Sequence, residues 1–113
     1  MNIQIFGTKK CNDTKKAERF FKERGIKFQF IDMKEKGMSK GEYNSIKQAV
    51  GGYENLIDEK AKDKDTLMLI KYLADEAKED KLLENPQLFK TPIVRNSRQA
   101  TVGYKPEVWK TWE

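Results

Sequence analysis

Residues 2–6 alternate apolar and polar side chains, with Ile3 and Ile5 on one face, and the run closes at Phe6-Gly7. Period two predicts a strand. The spacing then changes. Ala17, Phe20 and Phe21 stand at i, i+3, i+4, while Lys15, Lys16, Glu18, Arg19, Lys22 and Glu23 take the opposite face. A helix therefore starts near Asn12 or Asp13, either of which can cap it, and Gly25 ends it just past the last turn. Residues 27–32 return to period two and predict a second strand. Strand, helix and strand joined by short turns make a βαβ unit, which implies parallel pairing and a right-handed crossover.

Further along, Ser39 and Glu42 match a capping box for a helix over about residues 40–50, carrying Tyr43, Ile46, Ala49 and Val50, and Gly51-Gly52 stops it. Residues 53–65 read as a loop or a short helical turn. From Asp65 the stripe Leu67, Ile70, Leu73, Ala74, Ala77 predicts one helix, and Leu82, Leu83, Leu88 and Phe89 suggest a shorter helical segment around Asn85-Pro86. Residues 92–96 and 99–103 are two strands of a hairpin turned at Asn96-Ser97-Arg98. A last helix opens at Pro106 and carries Val108, Trp109 and Trp112. The layout is β-α-β, a helical insertion at about 39–90, then β-β-α. The α/β class and a mixed four-stranded sheet follow, in one domain over residues 1–113.

Composition narrows the chemistry. Charged residues make up 36% of the chain and apolar ones 37%, and the net charge of +5 is spread through mixed runs such as Lys34-Glu35-Lys36 and Asp63-Lys64-Asp65. Interspersed signs mark solvated faces, so direct nucleic-acid binding is not expected. No run approaches the roughly 20 apolar residues of a membrane span, and the start is too short and too alternating for a signal peptide. A cytoplasmic protein is expected. The chain has no histidine, which removes His-based metal sites, Cys–His dyads and Ser–His–Asp triads.

What remains is one cysteine. Cys11 sits between the first strand and the first helix, where unpaired N–H groups and the helix dipole favour an anion. Lys9, Lys10, Lys15 and Lys16 surround it, and together these features should lower the thiol pKa. The alternative is a small buried hydrophobe with no chemistry. Thr8 or Thr14 could hydrogen-bond the sulfur.

Taken in order, Cys11 after strand one, Lys16-Ala17 in the first helix, the segment 83–94 (LENPQLFKTPIV) and the run Val102-Gly103-Tyr104-Lys105-Pro106-Glu107 resemble the arsenate reductase (ArsC)/Spx family, in its single-cysteine branch, over essentially the whole chain. The resemblance implies a thioredoxin-like fold, a reactive thiol at Cys11 and a cis Pro92 packed near it that presents the Thr91 backbone. Without the resemblance, Pro92 would read as a trans proline opening an edge strand.

In that family three arginines hold the arsenate oxyanion. Here the residue before the cis proline is Thr91, the pair before the last helix is Lys105-Pro106, and Asp58-Glu59 stand where an arginine is expected. Lysine substitutes only in part for a bidentate guanidinium, and carboxylates repel an oxyanion. The resemblance therefore implies a thiol-dependent oxidoreductase with Cys11 as nucleophile and no bound cofactor. Glutathione is the co-substrate, glutaredoxin or a small-molecule thiol is the reductant, and arsenate is a poor substrate. Its thiolate-stabilising or substrate-binding candidates are Lys10, Thr14, Lys15, Thr91, Pro92, Arg95 and Lys105. The alternative is an Spx-like regulator that docks on RNA polymerase without catalysis. The second cysteine of the Spx Cys-x-x-Cys pair falls at Thr14, so an intramolecular disulfide switch is impossible.

Overall fold

In the computed structural model, which describes all 113 residues, β1 (Ile3–Gly7) runs parallel to β2 (Phe28–Asp32) and antiparallel to β3 (Ile93–Asn96), which pairs antiparallel with β4 (Gln99–Val102). The sheet order is β2-β1-β3-β4. This mixed four-stranded sheet, with a βαβ unit first and a β-hairpin last, is a thioredoxin-like fold.

Because side chains alternate across a strand, the sheet feeds two cores. Ile3, Ile5 and Val94 face Ala17, Phe20, Phe21 and Trp109. Those partners come from α1 (Asn12–Glu23) and α5 (Pro106–Trp109). Phe6, Ile31 and Ile93 join the apolar residues of the helical insertion on the other side. Phe21 and Trp109 are fully buried, and each large side chain removed from water stabilises the fold by about 1.5–3 kcal/mol. The Trp109 indole also donates to Thr101 Oγ1 at 2.8 Å. Phe28 and Phe30, on the edge strand, pack against this first core but are only half-buried, as is Trp112.

The insertion opens with α2 (Lys40–Val50). Its capping box is complete: the Glu42 N–H donates to Ser39 Oγ at 3.2 Å and the Ser39 N–H donates to Glu42 Oε1 at 2.9 Å. A cap of this kind contributes about 1 kcal/mol. Gly51, at φ 85°, closes the helix in the left-handed region that glycine tolerates. A 3-10 turn at Tyr53–Leu56 follows.

The single helix expected from Asp65 is two. α3 (Lys64–Lys71) ends at Tyr72, Ala74 is extended, and α4 (Asp75–Glu84) starts afresh. Leu67 and Ile70 are buried, but Ala74 and Ala77 are exposed. Tertiary contacts account for the break. After it, Glu79 on α4 accepts from Tyr43 Oη and from Lys47 Nζ on α2, both at 2.7 Å, and Leu82 enters the core. A second 3-10 turn, Pro86–Leu88, leads the chain back towards β3.

Candidate functional site

Cys11 is itself the N-cap of α1; Asn12 and Asp13, the expected caps, are the first two residues of the helix. Its carbonyl accepts the N–H of Lys15 at 3.2 Å, and its own N–H is held by the Thr8 carbonyl at 3.1 Å. An N-cap side chain normally accepts from the N–H groups of the second and third helical residues, here Asp13 and Thr14. A neutral thiol is a poor acceptor, and Cys11 makes no side-chain cap bond. A thiolate is the group that position calls for.

The surroundings agree. Partial burial alone would raise the Cys11 pKa, but hydrogen bonds from the side chains of Thr14 and Thr91 and from the N–H groups of Thr14 and Asp13 outweigh it, so the thiol lies below its ordinary value. Thr14 is fully buried, and its hydroxyl has no other hydrogen-bond partner. The protonated thiol donates instead to the Thr91 carbonyl at 3.7 Å. Lysine charge, expected as a cause, is not among the leading ones: Lys9, Lys10, Lys15 and Lys16 are all exposed.

Thr91 is brought to Cys11 by pairing on both sides of it, with the Gly103 N–H donating to the Pro92 carbonyl at 2.8 Å on one side and residues 56–58 holding residues 88–90 on the other. Ile57 bridges Phe89, the Asp58 N–H donates to the Leu88 carbonyl at 2.8 Å, and the Lys90 N–H donates to the Leu56 carbonyl at 2.8 Å. The Thr91–Pro92 peptide is cis and Pro92 is buried. Asp58 and Glu59, which follow the bridge, line with Thr91 one open cleft of about 1020 Å³ that has Cys11 on its wall. Lys60, Lys90 and Lys105 line it, and so do Asp58, Glu59 and Glu107. Three acids thus offset three bases.

Of the residues singled out from sequence, Cys11, Thr91 and Lys105 line this cleft, and Thr14 and Pro92 are buried around it. Lys15 opens onto a different concavity, along α1 and the turn into β2. Lys10 is exposed outside the lining. Arg95 is not at the site. It pairs across from Gln4, three residues and about 10 Å back along β1 from Gly7, while Cys11 lies beyond Gly7. Lys60, Lys90 and Glu107 were not singled out; only the adjacency of Lys90 to Thr91 carried a signal. No group of three or more metal-ligating side chains converges anywhere in the chain.

Comparison with known proteins agrees with this geometry. The ArsC family model matches residues 6–112. The chain is 30% identical over 109 residues to the global transcriptional regulator Spx 2 of Oceanobacillus iheyensis, an alignment covering 92% of this chain and 78% of that one. Among solved structures it is similar to an arsenate reductase from Vibrio cholerae, at 27% identity with a TM-score of 0.81, covering 96% of this chain and 94% of the other. A structure described as related to the ArsC family, from Bacteroides fragilis, superposes over all of both chains with a TM-score of 0.82 at 20% identity.

Proposed function

This chain belongs to the ArsC family, and we propose that within it the protein is a monothiol oxidoreductase whose nucleophile is Cys11 and whose substrates are disulfides or oxidised thiols rather than arsenate. The observation that carries this reading is the Cys11 N-cap: its thiolate would gain the two N–H bonds and two hydroxyl bonds that the thiol lacks. A thiolate attacks a disulfide sulfur far faster than a thiol does.

In the first step the Cys11 thiolate attacks one sulfur of glutathione disulfide or of a mixed disulfide. A new S–S bond forms to Cys11, the old one breaks, and the leaving thiolate takes a proton from solvent. In the second, an external thiolate, from glutathione or glutaredoxin, attacks the adduct and releases Cys11. Electrons balance, because one disulfide is consumed and one is formed. The Thr91 edge and the mixed charges of the cleft suit a partner bearing both carboxylate and amine groups. Arsenate, a doubly charged oxyanion near neutral pH, would meet Asp58 and Glu59 with only Lys60, Lys90 and Lys105 to hold it, and no guanidinium lines that cleft. The cytoplasm, with its glutathione pool, is the proposed setting.

The experiment is a titration of Cys11 alkylation against pH, followed by intact-mass measurement after exposure to oxidised glutathione. A pKa clearly below about 8.5 and an adduct that glutaredoxin removes are the expected results. A normal or raised pKa without an adduct would overturn the reading.

The identity to Spx 2 favours a second reading, in which the scaffold docks on RNA polymerase and the thiol is dispensable. It predicts polymerase capture that survives Cys11→Ala.

A further inference from the structure

The charge of this molecule is not shared evenly between its concavities. The Cys11 cleft carries three acids against three bases. A second concavity of about 810 Å³, at the other end of the sheet, is lined by Lys27, Arg95 and Arg98 and by no carboxylate at all. We propose that this second pocket binds the phosphate dianion, free or as the terminal group of a small phosphate ester, independently of the thiol site.

The pocket is built around Arg95, which is half-buried and fixed in place. Its Nε–H donates to the Ser97 carbonyl at 2.9 Å, one terminal nitrogen donates to Gln4 Oε1 at 2.8 Å, and the other reaches Ser45 Oγ at 3.4 Å. Every acceptor is neutral. Three of its five N–H groups are used, leaving two. Gln4 is locked in turn, donating to Gln29 Oε1 at 3.1 Å and to Glu42 Oε2 at 3.0 Å. A polar row therefore crosses β2, β1 and β3 beneath α2.

Glu42, the carboxylate nearest this row, does not neutralise Arg95 by contact. One of its oxygens takes the Gln4 amide, and the other takes the Ser39 N–H of the helix cap. None of Lys27, Arg95 and Arg98 has a carboxylate within ion-pair distance; the six ion pairs of the protein involve other cations. A half-buried guanidinium whose contacts are all neutral, and which Glu42 offsets only from a distance, keeps charge for a ligand, and its planar fork matches the spacing of phosphate oxygens. Lys27, on the turn into β2, and Arg98, on the β3–β4 turn, supply exposed cations around it. The volume suits a small ligand. Direct nucleic-acid readout is a different proposal, disfavoured because the three cations line one concavity instead of a stripe along a helix or strand.

The test is isothermal titration and amide chemical-shift mapping of the full chain with inorganic phosphate and, separately, adenosine 5′-monophosphate, at ionic strength held constant with sodium chloride. Saturable binding is expected, with shifts confined to the residues around Gln4, Lys27, Arg95 and Arg98. Equal affinity for the two probes assigns the site to free phosphate, and tighter binding of the nucleotide assigns it to an ester. Both exposed cations can be changed without touching the core. Lys27→Gln and Arg98→Gln together should weaken binding by about tenfold, while Cys11→Ser leaves it unchanged. Arg95→Lys, which keeps the charge but loses the fork, should weaken it as well. Shifts that follow ionic strength alone, shifts that map to the Cys11 cleft, or a short DNA oligomer that saturates the pocket when neither small probe does would each overturn the proposal.

Discussion

Thr14 rests on the bare backbone of Gly7: a Cβ at position 7 would lie 2.5 Å from both Cγ2 and Oγ1 of Thr14. The end of β1 and the first turn of α1 thus approach more closely than any side chain permits, and this approach sets the Cys11 N-cap at the mouth of the cleft. Gly7→Ala should destabilise the protein by about 1–3 kcal/mol, as overpacking does. Urea unfolding measures it. In the double variant with Thr14→Ala, part of the loss should return, because the two atoms in closest conflict are gone while the 3.0 Å approach of the Thr14 Cβ remains. Strictly additive effects would show that the contact does not carry the cost.

The same threonine should tune the thiol. Thr14→Val keeps the volume and removes the hydroxyl, the foremost of the groups that pull the Cys11 pKa down. Alkylation at pH 7 should slow several-fold and its titration should move to higher pH, while Thr14→Ser should stay close to the parent. An unchanged alkylation profile in Thr14→Val would mean that the Thr91 side chain and the backbone N–H groups hold the thiolate without it.

Local signals made much of this architecture readable. Strand and helix periods marked β1, α1 and β2, the Ser39–Glu42 pair marked the start of α2, and Gly25 and Gly51 marked helix ends with positive φ. Two failures show that distance along the chain is not distance in space. The apolar spacing from Leu67 to Ala77 runs on unbroken through Tyr72, and the reach of Glu79 to Tyr43 and Lys47, some thirty residues away, together with the burial of Leu82, explains a new helix at Asp75. Arg95 is close to Pro92 in sequence, yet three residues of extended strand carry it to the far end of the sheet. The thiol's environment was half legible. Its place before a helix predicted a stabilised anion and Thr14 was a candidate donor to the sulfur, but hydrogen bonds from Thr14, Thr91 and the backbone, not lysine charge, lower the thiol pKa.

Glu79 should matter for stability out of proportion to its exposure. Its carboxylate is the partner of the buried Tyr43 hydroxyl and of Lys47 at once, and it alone ties α4 to α2 by side-chain hydrogen bonds. Glu79→Ala leaves a buried phenol unpaired and should cost about 1–3 kcal/mol, whereas Glu79→Gln should recover part of that by accepting from Tyr43. Thermal unfolding of the two variants decides it, and equal losses would mean that the charge on Lys47 is what counts.

The thiolate should also leave its mark on folding. Cys11 has a folded-state pKa below its unfolded value, so between the two values the unfolded chain binds more protons and stability rises with pH. The contribution is complete above the unfolded pKa, about 8.5, and is lost as pH falls through the folded one. Cys11→Ser places a competent but non-titrating cap at the head of α1, so it shifts stability by a constant amount at every pH. The difference between the parent and Cys11→Ser, from urea midpoints taken between pH 5 and about pH 9.5, should therefore be flat at the acid end, grow in favour of the parent through the alkaline half, and level off. A difference that stays constant across the whole range would show that folding does not favour the thiolate, and would remove the physical basis for Cys11 as a nucleophile.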